Sequence, residues 1–431
     1  MRRDNILNFL YSALYLAALA FLLPYEYLKR PGELRGRWIR ERFGFPAPLP
    51  DARRHSRIWI HAVSVGEVIA SVSLVKKIKK DRPSAEIVIT TVTDTGQKVA
   101  RERMGELATI VYVPFDLPFS VKNFIERIGP SLLIIMEAEL WPNVIGILKD
   151  RAIPVLMMNG RISGKSFQGY GKLRPFIKGV LGNLTLLCVQ NELYAERLRL
   201  LGAEPEKIRV IGSLKFDTRP SMPVPGWTGM LEGPVLIAGS THRTEEDLVA
   251  DAYAELLADF PRLNLILAPR HPERFKEVEE LVRKKGLKYV KRSEIKDSDQ
   301  LSSDSSRTTH HTPLVVILDV MGELSSVYGA ADIAVMGGTF IEHGGQNPLE
   351  PAYWEKAIVC GPHMENFPFI DDFYRSGGAV KVDAHTLSRS LRELLNAPER
   401  LAVMGKIAKG LYDKNAGATE RAAAIIEEYL R

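Results

Sequence analysis

The stretch Gly337–Ala352 reads G-G-T-F-I-E-H-G-G-Q-N-P-L-E-P-A and follows an apolar, strand-like run, Asp332–Met336. A glycine pair directly after a buried strand lets the backbone come close to a ligand, because glycine has no Cβ in the way. A second glycine pair precedes Pro348 and Glu350, which suit the first turn of a helix whose free N–H groups can hold an anion. Two such pairs between a strand and a helix favour a nucleotide site over the alternative, a tight turn before an ordinary helix.

Length and composition place the chain among globular proteins with more than one domain. At 431 residues it is too long for one ordinary core, so two domains are expected. The formal net charge of +6 fits an anionic substrate or a membrane surface, and nucleic acid is not expected as a partner. Cys188 and Cys360 lie in apolar runs, which favours buried thiols over a disulfide or a metal site.

The N-terminal segment, residues 1–28, is expected to be a membrane anchor. Ile6–Tyr25 contains no charged residue, and about 20 helical residues are enough to cross the hydrocarbon core. The basic flank that follows consists of Lys29, Arg30, Arg35, Arg37, Arg40 and Arg42. By the positive-inside rule this flank puts the main body in the cytoplasm. Two alternatives stay open: a cleaved signal peptide, and a helix that lies in the membrane interface or packs on the next domain.

After Pro50 the sequence alternates short apolar runs with amphipathic stretches, which is typical of parallel sheets covered by helices on both faces. The predicted strands of the first half are Ile58–His61, Glu86–Thr91, Ile110–Val113, Leu132–Met136, Val155–Asn159 and Leu184–Gln190, with Lys207–Gly212 at its end. Those of the second half are Val235–Gly239, Leu263–Pro269, Tyr289–Val290, Val315–Leu318, Ile333–Met336, Ile358–Gly361 and Ala379–Val382.

These patterns predict two α/β domains, each a Rossmann-like parallel sheet, that face one another across a cleft. The first domain is expected over residues 29–218, a Pro- and Gly-rich linker over 219–233, and the second domain over 234–397. C-terminal helices over 398–431 are expected to cross back to the first domain. The polar segment Arg292–Thr312 is expected to be a surface loop, and its His310–His311 pair lacks flanking metal ligands.

Polar residues follow several predicted strands of the first domain, where ligands of open parallel sheets bind. Glu67 ends the motif H-A-V-S-V-G-E and opens a helix. A carboxylate there can take the proton of an attacking hydroxyl, or it can simply cap the helix, and spacing alone does not choose. Glu137 and Glu139 follow another strand, and Lys215 in G-S-L-K-F-D can neutralise an anionic substrate or remain solvated.

The second domain carries further small or basic loops at its strand ends. Prolines on both sides of Arg270 and His271 fix the backbone, so that Arg270 can clamp a phosphate. The loops Ala238–Arg243 and Met321–Glu323 join the glycine-rich loop at the same edge of the predicted sheet. No D-x-D pair lies in a strand-end loop, which favours a transfer without a metal or another cofactor.

Taken together, these motifs resemble the 3-deoxy-D-manno-octulosonic acid (Kdo) transferases from the apolar N-terminal helix to the last helix. The motifs that carry the resemblance are H-A-V-S-V-G-E, T-D-T-G, E-A-E-L-W-P-N, N-G-R-I-S, G-S-L-K-F-D, A-P-R-H-P-E-R-F, M-G-E-L and E-H-G-G-Q-N-P-L-E-P-A. The resemblance implies a GT-B fold and an inverting, metal-independent transfer from CMP-Kdo to the lipid A precursor. It also implies lipopolysaccharide core biosynthesis at the cytoplasmic face of a Gram-negative inner membrane, in contact with anionic lipids.

The resemblance also assigns roles to individual residues. Glu67 matches the general base, and Glu137 and Lys215 match positions that support the transition state. The positions that match CMP-contacting loops are Pro269, Arg270, Met321, Gly322, Glu323, Asn347, Pro348, Leu349 and Glu350. The alternatives are a membrane-associated GT-B enzyme that uses a UDP-sugar and a lipid acceptor, and a non-catalytic sugar-binding protein with a signal peptide.

Overall fold

The computed structural model describes residues 3–49, 56–217, 219–220, 222–295 and 313–430, with the backbone alone for residues 3–6. Most of the predicted Ser-rich loop, including His310 and His311, lies outside the described residues. The chain forms two compact units. The first runs up to Asp217 and resumes at Ala416, and the second comprises the chain in between.

The first unit is built on a seven-stranded parallel sheet. Its strands are β1 (Arg57–His61), β2 (Glu86–Thr91), β3 (Thr109–Tyr112), β4 (Leu132–Met136), β5 (Val155–Gly160), β6 (Leu186–Val189) and β7 (Ile208–Val210). Their order across the sheet is β3-β2-β1-β4-β5-β6-β7, and every pair is parallel. Strands β1 and β4 are buried at every position, as expected when helices cover both faces of a sheet.

In the described part of the chain, two α-helices precede the first strand of this unit, and one or two follow each of the strands β1 to β6. They are α1 (Arg3–Lys29), α2 (Gly32–Arg42), α3 (Val65–Asp81), α4 (Asp94–Met104), α5 (Pro118–Ile128), α6 (Pro142–Asp150), α7 (Gly164–Lys172), α8 (Arg174–Gly182) and α9 (Glu192–Leu201).

The second unit repeats this architecture. Its strands are β8 (Val235–Thr241), β9 (Asn264–Pro269), β10 (Tyr289–Lys291), β11 (Val315–Ile317), β12 (Ile333–Met336), β13 (Ala357–Cys360) and β14 (Ala379–Lys381). Its helices are α10 (Glu245–Leu256), α11 (Phe275–Lys284), α12 (Leu324–Val327), α13 (Leu349–Tyr353), α14 (Ile370–Ser376), α15 (Leu387–Leu395) and α16 (Pro398–Asn415). The strand order is β10-β11-β9-β8-β12-β13-β14.

Near the centre of each sheet, the chain leaves two neighbouring strands in opposite directions. In the first unit these strands are β1 and β4, and in the second unit they are β8 and β12. Loops that leave neighbouring strands in opposite directions open a crevice at the carboxyl ends of those strands. The loops after β1, β4, β8 and β12 are therefore the natural places for ligand-binding residues.

The apolar helix α1 lies along the first unit. Near its start, the Tyr11 hydroxyl donates to Asp116 Oδ2 at 2.9 Å. Further along, Tyr15, Leu19, Leu23 and Tyr27 pack against a cluster of Trp38, Tyr112 and Phe115. The opposite face exposes large apolar side chains, including Leu14 at 72% and Phe21 at 84%. It is the one helix of the described chain that is long and apolar enough to cross a membrane.

Two expectations about the connections need correction. Residues 219–233 are not a free linker, because Trp227 is 5% exposed and packs in the core of the second unit. The C-terminal segment divides rather than crossing as a whole. Helix α16 belongs to the second unit, whereas the last helix, α17 (Ala418–Glu428), belongs to the first.

Candidate active site

Glu67 lies in the first turn of α3, immediately after β1. The N-cap residue Ser64 accepts a hydrogen bond from the Glu67 backbone N–H at 3.3 Å and donates its hydroxyl to Glu67 Oε1 at 2.8 Å. The Val63 N–H donates to Glu67 Oε2 at 2.8 Å. The carboxylate is thus part of a reciprocal helix cap, and the side chain is held in one orientation.

The same carboxylate lies in a setting that disfavours its ionised form. Glu67 is 6% exposed, and burial raises its pKa. The two hydrogen bonds from Val63 and Ser64 oppose this rise, and the negative charges of Glu137 and Glu139 add to it, so that the pKa of Glu67 is raised to about 7. A carboxylate whose pKa lies near neutrality is suited to take and release a proton.

Glu137 follows β4, the strand next to β1, and has left-handed backbone geometry with φ of 57°. This backbone conformation is strained for a residue other than glycine. The Glu137 N–H donates to Met158 O at 2.9 Å, which holds the residue in this conformation. Its Oε1 lies 4.0 Å from Lys215 Nζ. The turn therefore aims the Glu137 carboxylate at a cation.

Lys215 lies in the 3₁₀ turn Leu214–Asp217 that ends the first unit. Asn159, at the end of β5, anchors this turn by accepting the Leu214 N–H at 3.1 Å. Burial lowers the pKa of Lys215, as does nearby Arg161, whereas Glu137 and Glu67 raise it. The structure thus brings the three predicted catalytic residues together in the first unit.

The predicted donor-binding loops all lie at strand ends of the second unit. Pro269 is the buried last residue of β9, and its neighbour Arg270 is exposed. The Arg270 N–H is fixed to Thr241 O at 2.9 Å, which fixes the start of the loop. Within the described ranges, the Arg270 guanidinium has neither an ion pair nor a hydrogen bond, so it is available to a ligand.

In the Met321–Glu323 loop, the Glu323 carboxylate is already engaged in hydrogen bonds within the protein, which the sequence does not indicate. Met321 is 61% exposed, and Gly322 has a φ of 92°, which favours glycine. The Glu323 carboxylate accepts from Arg292 Nε at 2.8 Å and from Trp227 Nε1 at 3.2 Å. In this structure Glu323 thus ties the segment before β8 to its own loop.

The Asn347–Glu350 segment begins a helix one residue later than predicted. Asn347 Oδ1 accepts the Leu349 N–H at 3.2 Å, and α13 starts at Leu349 rather than at Pro348. Pro348 and Leu349 are buried, whereas Glu350 is partly exposed. The cap thus fixes the position of Glu350 in the first turn of the helix.

The glycine pair after β12 does not present free amides to a ligand, contrary to our interpretation of the sequence. The Glu245 carboxylate accepts from the N–H groups of Gly338 at 2.7 Å and of Thr339 and Phe340 at 2.9 Å. It also accepts the N–H of His242, in the loop after β8, at 2.9 Å. A Cβ on Gly337 would lie 2.2 Å from Ser240 O, so this glycine serves strand packing.

The sequence indicated no role for Glu245 or for the histidines His242, His271 and His343. The signal for Glu245 was its place in the first turn of α10, where a carboxylate is common. His242 and His343 lie in loops that the sequence singled out, but for their backbones alone. Among the residues that the structure describes, no group of three or more His, Cys, Asp or Glu is arranged to hold a metal.

Comparisons with known proteins agree with this architecture. A family model described as 3-deoxy-D-manno-octulosonic-acid transferase (kdotransferase) matches residues 37–218. The 3-deoxy-D-manno-octulosonic acid transferase of Haemophilus influenzae is 35% identical over 405 residues, which are 91% of this chain and 91% of that protein. Its namesake from Bordetella pertussis is 30% identical over 96% of this chain and 97% of its own length.

A solved structure supports the fold. The crystal structure of MurG from Acinetobacter baumannii aligns with a TM-score of 0.55 at 12% identity, over 86% of this chain and 99% of that one. Because the identity is only 12%, this similarity is evidence for the fold and not for the function. Together with the two parallel sheets, it supports the expected GT-B architecture. The relatives confirm the resemblance seen in the motifs, and the chain belongs to the 3-deoxy-D-manno-octulosonic acid transferase family of glycosyltransferases.

Proposed function

We propose that this enzyme transfers Kdo from CMP-Kdo to a lipid A precursor, with inversion at the anomeric carbon and without a metal. The observation that carries the proposal is the cluster of Glu67, Glu137 and Lys215 at the strand ends of the first unit. It combines a buried carboxylate, a second carboxylate and a cation in a protein that belongs to a family of Kdo transferases.

Glu67 is the general base in this proposal. It takes the proton of an acceptor hydroxyl while that oxygen forms a bond to the anomeric carbon of Kdo, and the bond from that carbon to the CMP phosphate breaks. The electron pair of the broken bond leaves with CMP. The cap formed by Ser64 and Val63 holds the carboxylate in place, so little reorganisation accompanies the proton transfer.

The second unit binds the CMP part of the donor in this proposal. Arg270 is exposed at the end of β9, and the guanidinium group is suited to a phosphate because it can donate two parallel hydrogen bonds. The other parts of the CMP site in this proposal lie at or after the ends of strands β9, β11 and β12 of the same sheet, namely Pro269, Met321–Glu323 and Asn347–Glu350. Positive charge from Arg270 takes the place of a metal during departure of CMP.

A membrane surface fits the chemistry of the proposed acceptor. The exposed apolar face of α1 suits insertion into one leaflet of the inner membrane from its cytoplasmic side. Residues 161–191 carry five cations, Arg161, Lys165, Lys172, Arg174 and Lys178, and no acidic residue. Such a segment attracts anionic lipids and the phosphates of a lipid A precursor.

The test is mass spectrometry of the product formed from a lipid A precursor and freshly generated CMP-Kdo, with chelator present in one arm. We expect addition of Kdo in both arms and no product when a UDP-sugar replaces CMP-Kdo. Turnover of a UDP-sugar without turnover of CMP-Kdo would refute the donor, and loss of product in chelator that is restored by a divalent cation would refute metal independence.

A further inference from the structure

We propose that His242, His271 and His343 form an oxyanion-binding subsite in the second unit, which takes an anionic group of the donor. This inference rests on the proposed function for the identity of the donor, a nucleotide-activated sugar acid. Its geometric basis is the convergence of three imidazoles from three different loops on one point of the sheet.

The three rings come from the loops after β8, β9 and β12, which are neighbours in the sheet. The ring centroids of His242 and His343 are 4.2 Å apart, and those of His242 and His271 are 5.4 Å apart. His242 is 9% exposed and lies at the floor, where Gln346 Nε2 is 3.1 Å from its Nε2. His271 and His343 are exposed. The cluster is thus open to solvent on one side, at the carboxyl ends of these strands, where ligands bind.

Four amides of the backbone around this cluster are not available to an anion. The amides of His242, Gly338, Thr339 and Phe340 already donate to the Glu245 carboxylate. A ligand anion near this loop also meets the negative charge of Glu245. Side chains must therefore bind the ligand, and the imidazole N–H groups and the Arg270 guanidinium are the donors that can do so.

Two of the three arginines around the rings are already paired with carboxylates. Arg274 is engaged by Glu246 at 2.7 Å, and Arg243 is engaged by Glu277 at 2.9 Å. Glu273 Oε1 lies 3.8 Å from His271 Nδ1, and Glu342 is exposed in the His343 loop. Arg270 has no such partner within the described parts of the chain. A bound oxyanion would supply the missing negative charge.

Burial lowers the pKa of His242 to about 4, and the neighbouring His343, His271, Arg270 and Arg274 contribute to the decrease. An oxyanion beside the rings can accept hydrogen bonds from imidazole N–H groups and from Arg270. Two groups of the donor have this chemistry, the phosphate that it shares with CMP and the carboxylate of the sugar.

The experiment compares the wild-type enzyme with the double variant His271→Gln/His343→Gln. Both side chains are exposed, so the fold tolerates their replacement, and His385→Gln is a matched exposed histidine outside the cluster. The dissociation constant of CMP is measured by calorimetry, and KM is measured for CMP-Kdo. We expect a rise in KM of roughly tenfold or more in the double variant, since charge-assisted hydrogen bonds are lost.

The two arms identify the anionic group. An increase in KM for CMP-Kdo with unchanged CMP affinity assigns the subsite to the sugar carboxylate, and a parallel loss of CMP affinity assigns it to the phosphate. Unchanged values for both ligands overturn the subsite while leaving the proposed function intact. A wild-type enzyme that neither binds CMP nor uses CMP-Kdo contradicts the proposed function, and the subsite falls with it.

Discussion

At the scale of single residues, Glu67 caps its helix and is also suited to the proposed role of general base, two roles that the sequence presented as alternatives. The S-x-x-E pattern of Ser64 and Glu67 is local, and it predicts a helix cap that the structure contains. The burial of Glu67 and its proximity to Glu137 depend on the pairing of β1 with β4, which are far apart in the chain. A local pattern therefore predicts the cap, but only the tertiary fold shows why the same carboxylate is suited to act as a base.

The raised pKa of Glu67 makes a prediction about pH. The base must be ionised, so kcat/KM should rise with pH up to about 7 and then level off. An unshifted glutamate would already be ionised at pH 6. The measurement is the pH profile of kcat/KM with CMP-Kdo, and the apparent pKa belongs to Glu67 coupled to Glu137 and Glu139.

The matching control is the CMP dissociation constant over the same pH range. The donor loops lie in the second unit, so CMP affinity should lack an inflection that follows Glu67. A flat kcat/KM profile between pH 5.5 and 8 would contradict the assignment.

The raised pKa of Glu67 also predicts how the stability of the fold depends on pH. Between the unfolded and the folded pKa, the carboxyl group binds a proton in the folded state that it has released in the unfolded chain. The folded state should therefore lose stability as the pH rises from about 4.5 to about 7.

At the scale of elements, strands were the most predictable features and connections the least. Each predicted strand corresponds to an observed one, because strands buried on both faces leave apolar runs such as Leu132–Met136. Helix α7 is hard to recognise from the sequence, because it has no buried residue and its glycines resemble a turn. Residues 219–233 resemble a linker in composition, but burial of Trp227 overrides that pattern.

Helix α1 has two faces with different roles, which predicts how it associates with membranes. One face contacts the first unit at both ends, through Tyr11 and through Tyr27. A helix held in this way cannot also span the roughly 30 Å of hydrocarbon unless these contacts break, so it should lie within one leaflet.

We expect the double substitution Leu14→Glu/Phe21→Glu to release the protein from membranes. Both side chains are exposed, and a charge on this face opposes insertion, while the contacts with the first unit remain. The measurement is sedimentation with vesicles that contain anionic lipid, together with the thermal unfolding midpoint. Val403→Glu, an exposed apolar position in the second unit, is the control. Full retention of the double variant on vesicles would show that this face is not the membrane contact.

At the scale of the whole molecule, the chain returns to the first unit with its last helix. The Asp217 carboxylate, where the chain leaves the first unit, accepts the N–H groups of Gly417 and Thr419, where it returns. Ile426 of α17 is 1% exposed and belongs to the same core cluster as Leu74 of α3. The first unit is therefore incomplete without the C-terminal end of the chain, although composition alone assigned α16 and α17 to one segment.

Because α17 packs in the core of the first unit, a cavity in α17 should destabilise the first unit and leave the second unit unchanged. Ile426→Ala should lower the free energy of unfolding of the first unit by about 2–5 kcal/mol, because it leaves a cavity in a buried core. CMP affinity should be unchanged. Hydrogen exchange read by mass spectrometry should show weaker protection in α3 and its neighbouring strands, with Glu428→Ala as the exposed control on the same helix. Weaker protection in the second unit alone would contradict this account.

The most direct test of the central claim is the Glu67→Gln variant, assayed side by side for CMP binding and for transfer. The substitution keeps the size of the side chain and removes its ability to take a proton. We predict CMP affinity equal to that of the wild type and single-turnover transfer slower by roughly 10²–10⁴-fold. Transfer at the wild-type rate, or a loss of transfer matched by an equal loss of CMP affinity, would contradict the role of Glu67 as the general base.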